Sequence, residues 1–303
     1  MKVPHPIPYQ GSKRHLASQI LGHFPQPIDT LIEPFAGSAA ITLAAAARGL
    51  ARRFHLNDLN EPLMELWRSI VEEPLALAGQ YEIVWRTQSG DPRGYYASIR
   101  DEFNRTRRPH HFLYLLARCV KTAVRYNAKG EFNQSPDNRR MGAFPETVRE
   151  QILGASRLLK GRTKLGTEDY RAAMARAEAD DVIYLDPPYQ GVCRQRDSRY
   201  MKGVLFDELV EVLAALNARH VRYLLSYDGR TGVKVHGRPL PRDLHLTRIE
   251  LEAGRSPQET LLGRTAVTYE SLYLSPALAE HLRPPRGISK RQTQQRAFRE
   301  AAW

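Results

Sequence analysis

The sequence predicts an α/β fold with a doubly wound, mostly parallel sheet, an antiparallel pair of strands near the C-terminus and a mostly helical insertion. Three observations lead to this prediction. Short apolar strands alternate with amphipathic helices up to about residue 80 and again from residue 165, which is typical of a parallel sheet covered by helices. Between these stretches the alternation breaks, and residues 81–164 are rich in arginine and tyrosine. Two alternating segments, 244–251 and 266–274, predict the antiparallel pair.

Each element is predicted from its own local pattern. Apolar runs bounded by turn residues predict strands, whereas apolar residues at helical spacing behind a capping residue predict helices. Asn60 is expected to cap the helix that follows it. In chain order, the predicted elements are a strand over 30–32, a helix over 39–47, a strand over 54–58, a helix after Asn60 that includes 63–70, a helix over 111–124, strands over 165–167 and 182–185, a helix over 206–218, and strands over 221–226, 244–251 and 266–274.

Composition excludes several classes of protein. Apolar residues make up 42% of the 303 residues and charged residues 26%, which excludes a disordered or fibrous chain. No 18 consecutive residues are apolar, and residues 1–15 lack the apolar core of a secretory signal. Cys119 and Cys193 fit no metal-ligand spacing, so we expect free thiols in a reducing compartment. These features predict a soluble cytoplasmic protein without a membrane segment.

Positive charge is concentrated in two segments of the chain. The formal net charge is +12, and residues 93–164 hold 16 basic and 6 acidic side chains, a net of +10. Residues 283–303 hold 6 basic and 1 acidic side chain, and the segment 281–303 is expected to form a flexible basic tail. Basic segments on a near-neutral body favour a polyanionic partner, because lysine and arginine at phosphates release counterions. A solvated basic surface is the alternative.

The most specific motif is Asp186-Pro187-Pro188-Tyr189, which directly follows the apolar strand 182–185. Prolines end the hydrogen-bonded ladder, so Asp186 is expected at the edge where open parallel sheets bind ligands. The prolines have no N–H to donate, which leaves carbonyl acceptors beside the carboxylate. With the flat face of Tyr189, these acceptors suit a planar group that carries an amine, such as a nucleobase. An incidental turn after a strand is the alternative.

A second candidate site follows the first strand, where Gly37 and Ser38 lead into a helix. Backbone N–H groups at such a turn can approach a ligand closely. Asp58 ends the next strand 21 residues after Gly37, an interval typical of an acid that binds ribose hydroxyls. The pattern G-x-G-x-x-G is absent, so these residues indicate a ligand with ribose and no pyrophosphate. Plain packing of a strand against a helix explains the same residues.

The N-terminal residues 9–13 precede an amphipathic run that contains Leu16 and Ile20. Ser12 is predicted to cap the helix formed by this run. Lys13 is long enough to reach a carboxylate on a bound ligand, although an ordinary surface lysine is the alternative.

Residues 125–133 combine basic, aromatic and amide side chains around Gly130, and a hairpin turn is predicted over 127–130. Arginine and asparagine read the edges of guanine and adenine, and aromatic rings stack on bases or wedge between them. The segment therefore favours recognition of nucleic acid, with an ordinary polar hairpin as the alternative.

Together these four segments resemble the Dam-type DNA adenine methyltransferases, which use S-adenosylmethionine. The resemblance covers about residues 7–275, in the order of the family's motifs. It implies a Rossmann-like class I methyltransferase sheet, with the catalytic domain formed by 1–80 and 165–280 and a helical target-recognition domain inserted as 81–164. Ala39 departs from the family, which has glycine there, and its methyl group is expected to crowd the cofactor.

The resemblance also implies a role for individual residues. Those expected to be catalytic are Asp186, Pro187, Pro188 and Tyr189. Those expected to bind S-adenosylmethionine are Tyr9, Lys13, Glu33, Phe35, Gly37, Ser38, Asp58, Asp169 and Tyr170. Those expected to bind DNA are Arg125, Tyr126, Asn127, Lys129, Asn133, Arg139 and Arg140.

The expected reaction is methylation of the N6 amine of an adenine that is flipped out of double-stranded DNA. No metal is implied, S-adenosylhomocysteine is the other product, and a restriction endonuclease is a candidate partner. The alternatives are an RNA adenine methyltransferase and a non-catalytic DNA-binding protein on a methyltransferase scaffold. A cytosine-directed enzyme is disfavoured because aspartate, not serine, opens the tetrad.

Overall fold

The computed structural model describes residues 2–188, 204–232, 234–255 and 267–282. Three sequence predictions fall outside these residues: the catalytic role of Tyr189, the free thiol of Cys193, and nearly all of the basic tail. Cys119 lies inside them and is a free, buried thiol, as predicted.

One sheet organises the described chain. Its strands follow the order β3-β2-β1-β4-β5-β8-β7, with β6 paired to β5. Strands β1 to β5 are parallel along this path, whereas β8 is antiparallel to both β5 and β7. The predicted doubly wound sheet and its antiparallel C-terminal pair are therefore confirmed. The strands are β1 (Ile28–Glu33), β2 (Ala51–Asn57), β3 (Thr163–Gly166), β4 (Val182–Leu185), β5 (Arg222–Thr231), β6 (Lys234–His236), β7 (Thr247–Arg255) and β8 (Val267–Leu274).

Helices connect the strands, and a run of them is inserted between β2 and β3. The helices are α1 (Ala17–Leu21), α2 (Ala40–Ala47), α3 (Glu61–Glu72), α4 (Pro74–Thr87), α5 (Pro92–Thr106), α6 (Pro109–Arg118), α7 (Pro145–Leu159), α8 (Tyr170–Met174), α9 (Phe206–Ala218) and α10 (Pro276–His281). Each helix from α3 to α7 has proline at its first or second position, where its missing N–H costs no hydrogen bond. Among the described residues, none of the helices is long and apolar enough to cross a membrane.

The predicted helix over 111–124 is wrong at its C-terminal end. Helix α6 ends at Arg118, and Cys119 is extended and forms a bridge with Pro136. Lys121 and Thr122 then adopt φ angles of 58° and 50°, which a helix does not accommodate. The prediction fails because the apolar spacing of the sequence continues beyond Arg118, where the helix ends.

Neither predicted helix cap makes a capping hydrogen bond. Asn60 occupies the N-cap position of α3, but its Oδ1 atom accepts a hydrogen bond from the Tyr126 hydroxyl at 3.0 Å. Ser12 precedes a short 3₁₀ turn, and its Oγ atom accepts from the Ser38 hydroxyl at 2.8 Å. Both side chains instead join segments that are distant in sequence.

Alternation along the strands separates two buried clusters on the faces of the sheet. Val182 and Tyr184 belong to one cluster, and Ile183 and Leu185 to the other. The first cluster continues into the inserted helices and includes Phe103. The predicted domain boundary at residue 81 lies within α4, so the division of the chain into domains stays a prediction.

Candidate active site

Three parallel strands bring the predicted site residues to one edge of the sheet. In the register, Glu33 at the end of β1 pairs with Leu56 of β2, and Ile32 pairs with Ile183 of β4. The loops after β1, β2 and β4 therefore leave the sheet side by side.

Glu33 is buried and contacts the first turn of α2. One of its carboxyl oxygens, Oε2, accepts hydrogen bonds from the Thr42 backbone N–H at 3.1 Å and the Thr42 hydroxyl at 2.5 Å. Burial raises the pKa of Glu33 to about 8, the two Thr42 bonds oppose this, and the nearby charge of Asp186 adds to it. Glu33 is therefore mostly protonated at neutral pH, and it lies close enough to Asp186 to sense its charge.

Gly37 is in a conformation that favours glycine and lies against Tyr9. Its φ angle is +47°, and a Cβ atom at this position would lie 3.2 Å from Cε1 of the Tyr9 ring. The Gly37 N–H donates to Oδ2 of Asp58 at 3.0 Å, and its carbonyl accepts from the Trp67 indole at 2.9 Å. The loop is thus held on both sides, and a side chain at residue 37 would push Tyr9 away.

Asp58 has hydrogen-bonding capacity left after its contacts within the chain. Besides the Gly37 N–H, it accepts the Asn60 N–H through Oδ1 at 3.0 Å. Burial raises the pKa of Asp58, and these two backbone bonds oppose the shift. A carboxylate offers about four lone-pair positions, so about two remain for hydroxyl groups of a ligand.

Ala39 has a strained backbone and a buried methyl group. Its φ and ψ angles are 48° and 36°, a left-handed conformation that costs an alanine about 1–2 kcal/mol. The side chain is fully buried and belongs to the apolar cluster that covers one face of the sheet. Alanine at this position therefore strains the turn before α2, whereas crowding of the cofactor by its methyl group stays a prediction.

Phe35 and Tyr170 form a pair of rings beside this loop. Their centroids are 5.2 Å apart and their planes are inclined by 32°. The Tyr170 hydroxyl is buried and has no hydrogen-bond partner among the described residues. Asp169, expected to contact the cofactor, caps α8 through the Arg171 N–H at 3.0 Å and pairs with the Arg171 guanidinium at 2.8 Å. A buried hydroxyl without a partner is uncommon, and this one belongs to a ring that packs against Phe35 beside the loop after β1.

The Asp186 carboxylate contacts Lys13. The Lys13 ammonium nitrogen lies 2.9 Å from Oδ1 of Asp186 and 3.5 Å from Oε2 of Glu270. The sequence predicts that Lys13 reaches a carboxylate of a ligand, whereas in the structure it contacts two carboxylates of the chain itself. Pro187 is buried next to Asp186, Pro188 is half-buried, and Tyr189 lies outside the described residues. Sequence reasoning missed Glu270, because no local pattern in β8 distinguishes it.

Asn57 is a second residue that sequence reasoning missed. Its side-chain amide donates to the carbonyl groups of Pro34 at 3.3 Å and Glu168 at 2.9 Å, and its oxygen accepts the Glu168 N–H at 2.8 Å. It thereby connects the loops that follow β1 and β3. A buried amide directly before Asp58 was the available signal.

The hairpin predicted over 127–130 is present. Tyr126 bridges to Phe132, and the Asn127 side chain accepts the N–H groups of Lys129 and Glu131 at 2.9 and 3.0 Å. Asn127 therefore shapes the turn. Lys129 and Asn133 are exposed.

The arginines predicted to bind DNA, and Tyr126 beside one of them, differ in environment. Arg125 is half-buried, and its Nε atom has no hydrogen-bond partner among the described residues. Tyr126 is only 7% exposed and donates to Asn60, so it faces the α3 N-terminus and not the surface. Arg139 and Arg140 are exposed and both lie beside Asp137, at 3.2 and 3.6 Å. Of the predicted DNA contacts, Lys129, Asn133, Arg139 and Arg140 are thus accessible.

A cavity of about 580 Å³ lies away from these residues. It is lined by residues of β1, β2, β3 and α8, among them Thr30, His55 and Lys164. None of the predicted site residues lines it, so it is not part of the candidate active site.

Comparison with known proteins identifies a matching family model. The model described as D12 class N6 adenine-specific DNA methyltransferase matches residues 9–249, which is most of the chain.

Three relatives show how far the similarity extends. A DNA N-6-adenine-methyltransferase of Escherichia phage P1 is 29% identical over 240 residues, which cover 75% of this chain and 30% of the phage protein. A DNA adenine methylase of Serratia marcescens is 27% identical over 269 residues, 86% of this chain and 94% of that protein. Modification methylase StsI of Streptococcus sanguinis is 28% identical over 193 residues, 62% of this chain and 29% of that protein. The similar region therefore spans less than a third of two relatives and nearly all of the third.

Proposed function

This chain belongs to the D12 class of N6 adenine-specific DNA methyltransferases, and we propose that it transfers a methyl group from S-adenosylmethionine to the N6 amine of adenine in double-stranded DNA. The observation that carries the proposal is the position of Asp186 directly after β4, beside Glu33 and at the same edge of the sheet as the Gly37–Asp58 contact. In open parallel sheets, this edge is where ligands bind.

The cofactor fits the residues at the loops after β1 and β2. Gly37 leaves the space that a side chain would fill against Tyr9, and Asp58 retains acceptor capacity for the two ribose hydroxyls. Phe35 and Tyr170 supply rings and an unpartnered hydroxyl for the adenine base. When bound, S-adenosylmethionine supplies an activated methyl group on a positively charged sulfur.

Asp186 and the Pro187 carbonyl would accept the two hydrogens of the target amine. The lone pair of that amine is delocalised into the adenine ring, which makes the nitrogen a poor nucleophile. Two acceptors favour a pyramidal nitrogen whose lone pair points at the methyl group. Because the proton becomes acidic only as the new bond forms, Asp186 acts mainly by position and fixed charge, and no strong base is needed beforehand.

DNA would bind the inserted segment, which carries most of the positive charge. Residues 93–164 have a net charge of +10, and Lys129, Asn133, Arg139 and Arg140 are exposed there. Phosphate contacts of this kind offset the few kcal/mol that extrusion of a base costs. Tyr189 would then hold the extruded base by stacking, worth about 1–3 kcal/mol.

We propose a restriction endonuclease as a partner of this protein and the cytoplasm as its location. The support for the partner is that one relative is named a modification methylase. Coexpression with genes adjacent to this one, followed by DNA cleavage assays, tests it.

Replacing the Asp186 carboxylate tests the catalytic assignment. Transfer of labelled methyl groups from S-adenosylmethionine to duplex DNA should fall by at least about 100-fold in Asp186→Ala, with binding of DNA in a gel shift retained. Asp207→Ala is the matched control, because its side chain is 83% exposed and the arginine that it contacts, Arg238, is 65% exposed.

Near wild-type transfer by Asp186→Ala would contradict the catalytic role of Asp186. Two other outcomes would contradict the proposed reaction: methylated cytosine in nucleosides from the treated duplex, and better competition for the methyl group by ribosomal RNA than by duplex DNA.

A further inference from the structure

Lys13 and the two carboxylates that it contacts come from distant parts of the chain. Lys13 precedes α1, Asp186 follows β4, and Glu270 lies on β8. Glu270 pairs with Gly229 of β5, where a Cβ atom would lie 2.5 Å from the Tyr269 carbonyl oxygen and 3.4 Å from the Glu270 Cα atom. Gly229 thus permits the close approach of β8, which pairs with β5 at Glu270.

Because Lys13 is mostly buried, the second carboxylate, that of Glu270, helps to stabilise its positive charge. The side chains of Lys13, Asp186 and Glu270 are 10%, 21% and 26% exposed. A charged group that has lost most of its water needs partners of opposite charge. Burial raises the pKa of Glu270, and the Lys13 ammonium opposes this. Lys13 therefore interacts with both carboxylates and is not held by Asp186 alone.

The Lys13 ammonium and an incoming amino group compete for Asp186, since both are N–H donors. Lys13 already contacts Oδ1 of Asp186 at 2.9 Å. Besides the two carboxylates, the ammonium donates to the Gly11 carbonyl at 3.5 Å. Without Glu270, Asp186 would be the one carboxylate that the described residues place on Lys13, and the ammonium would weaken it as an acceptor.

We propose that Glu270 is a positioning residue of the methyl-transfer site: it holds the Lys13 ammonium so that Asp186 keeps an oxygen for the target amino group. This inference rests on the proposed function, in which Asp186 accepts a hydrogen from that group. Glu270 also sets the local charge. Counted as formal charges, one ammonium and two carboxylates sum to −1, which suits a positively charged methyl donor, whereas the formal sum without Glu270 is zero.

The test compares Glu270→Gln with two other variants over concentrations of S-adenosylmethionine and duplex DNA that extend to saturation. Glu270→Gln should lower kcat by about tenfold or more and change both KM values by less than about threefold, because binding surfaces remain. Glu270→Asp, which keeps the charge, should recover part of the lost kcat. Glu252→Gln is the matched control, since Glu252 is exposed on the neighbouring strand β7.

A double variant separates positioning from a merely structural role. Lys13→Met/Glu270→Gln removes the ammonium together with its second partner, which restores the local charge of −1 and frees Asp186. Its kcat should exceed that of Glu270→Gln by several-fold, which loss of structure does not predict.

Two results would overturn the inference: a wild-type kcat in Glu270→Gln, or a double variant no faster than Glu270→Gln. Both can be told apart from failure of the proposed function. If Asp186→Ala is inactive while Glu270→Gln is normal, only the role of Glu270 is refuted. If Asp186→Ala is as active as the wild type, the catalytic role of Asp186 fails, and if the wild-type protein transfers no methyl group to adenine in duplex DNA, the proposed function fails.

Discussion

Glu33→Gln should remove a pH dependence from the stability of the protein. Glu33 is 3% exposed, and burial raises its pKa to about 8 from the ordinary value of 4.5. Glutamine resembles the protonated acid in shape, and its carbonyl oxygen can accept the two hydrogen bonds that Thr42 donates to Oε2. Unlike the acid, it takes up no proton in either the folded or the unfolded state.

The size and sign follow from the two pKa values. Between pH 4.5 and about 8, folded Glu33 keeps a proton that the unfolded chain has lost. The free energy of unfolding therefore falls as the pH rises, by about 1.4 kcal/mol for each pH unit. The contribution is complete below the unfolded pKa and lost above the folded one, and it amounts to roughly 5 kcal/mol over the window. That is comparable with the whole stability of many domains.

Urea unfolding of both proteins over a range of about pH 5 to pH 9 measures this contribution. Other groups titrate equally in the two proteins, so the difference between their free energies of unfolding isolates residue 33. The difference should be small near pH 5 and should favour the glutamine variant by several kcal/mol near pH 8. A difference that stays constant across the range would mean that Glu33 ionises like an exposed acid.

Two further substitutions test contacts around the site. Tyr126→Phe removes the hydroxyl that donates a hydrogen bond to Asn60. The free energy of unfolding, measured in urea, should fall by about 1–3 kcal/mol. An unchanged midpoint would mean that water replaces the bond. Asn57→Ala breaks three hydrogen bonds to the loops after β1 and β3, and should cost about 3 kcal/mol and weaken binding of S-adenosylmethionine in calorimetry. An unchanged affinity would mean that the hydrogen bonds of Asn57 do not support binding of S-adenosylmethionine.

Local patterns were sufficient to predict most of the sheet. The strands around 30–32 and 182–185 and the helix over 206–218 occur where apolar spacing predicts them, because burial on the two faces of a sheet imposes that spacing. The end of α6 was not predictable in this way. The segment 119–124 still contains apolar side chains, but the residues on either side of Cys119 hydrogen-bond to Ser135 and Asp137, and a contact over that distance has no local signature.

The same distinction holds for the candidate site. Gly37 and Asp58 were assigned from their spacing, and the 3.0 Å hydrogen bond between them brings the two loops together. Tyr126 was assigned to DNA from its residue type, whereas the structure buries it against Asn60. Residue type reports what a side chain is able to bind, but which partner it has is decided by long-range packing.

Charge supplies a constraint that motifs do not. Under the proposed function the site takes a positively charged methyl donor, and the formal charges of Lys13 and Asp186 alone sum to zero. The shortfall implies a further acid near Lys13, even though no motif names one. Glu33 does not fill this role, because at its pKa of about 8 it is mostly uncharged at neutral pH. Glu270, 3.5 Å from the ammonium, is the second carboxylate in contact with Lys13 among the described residues.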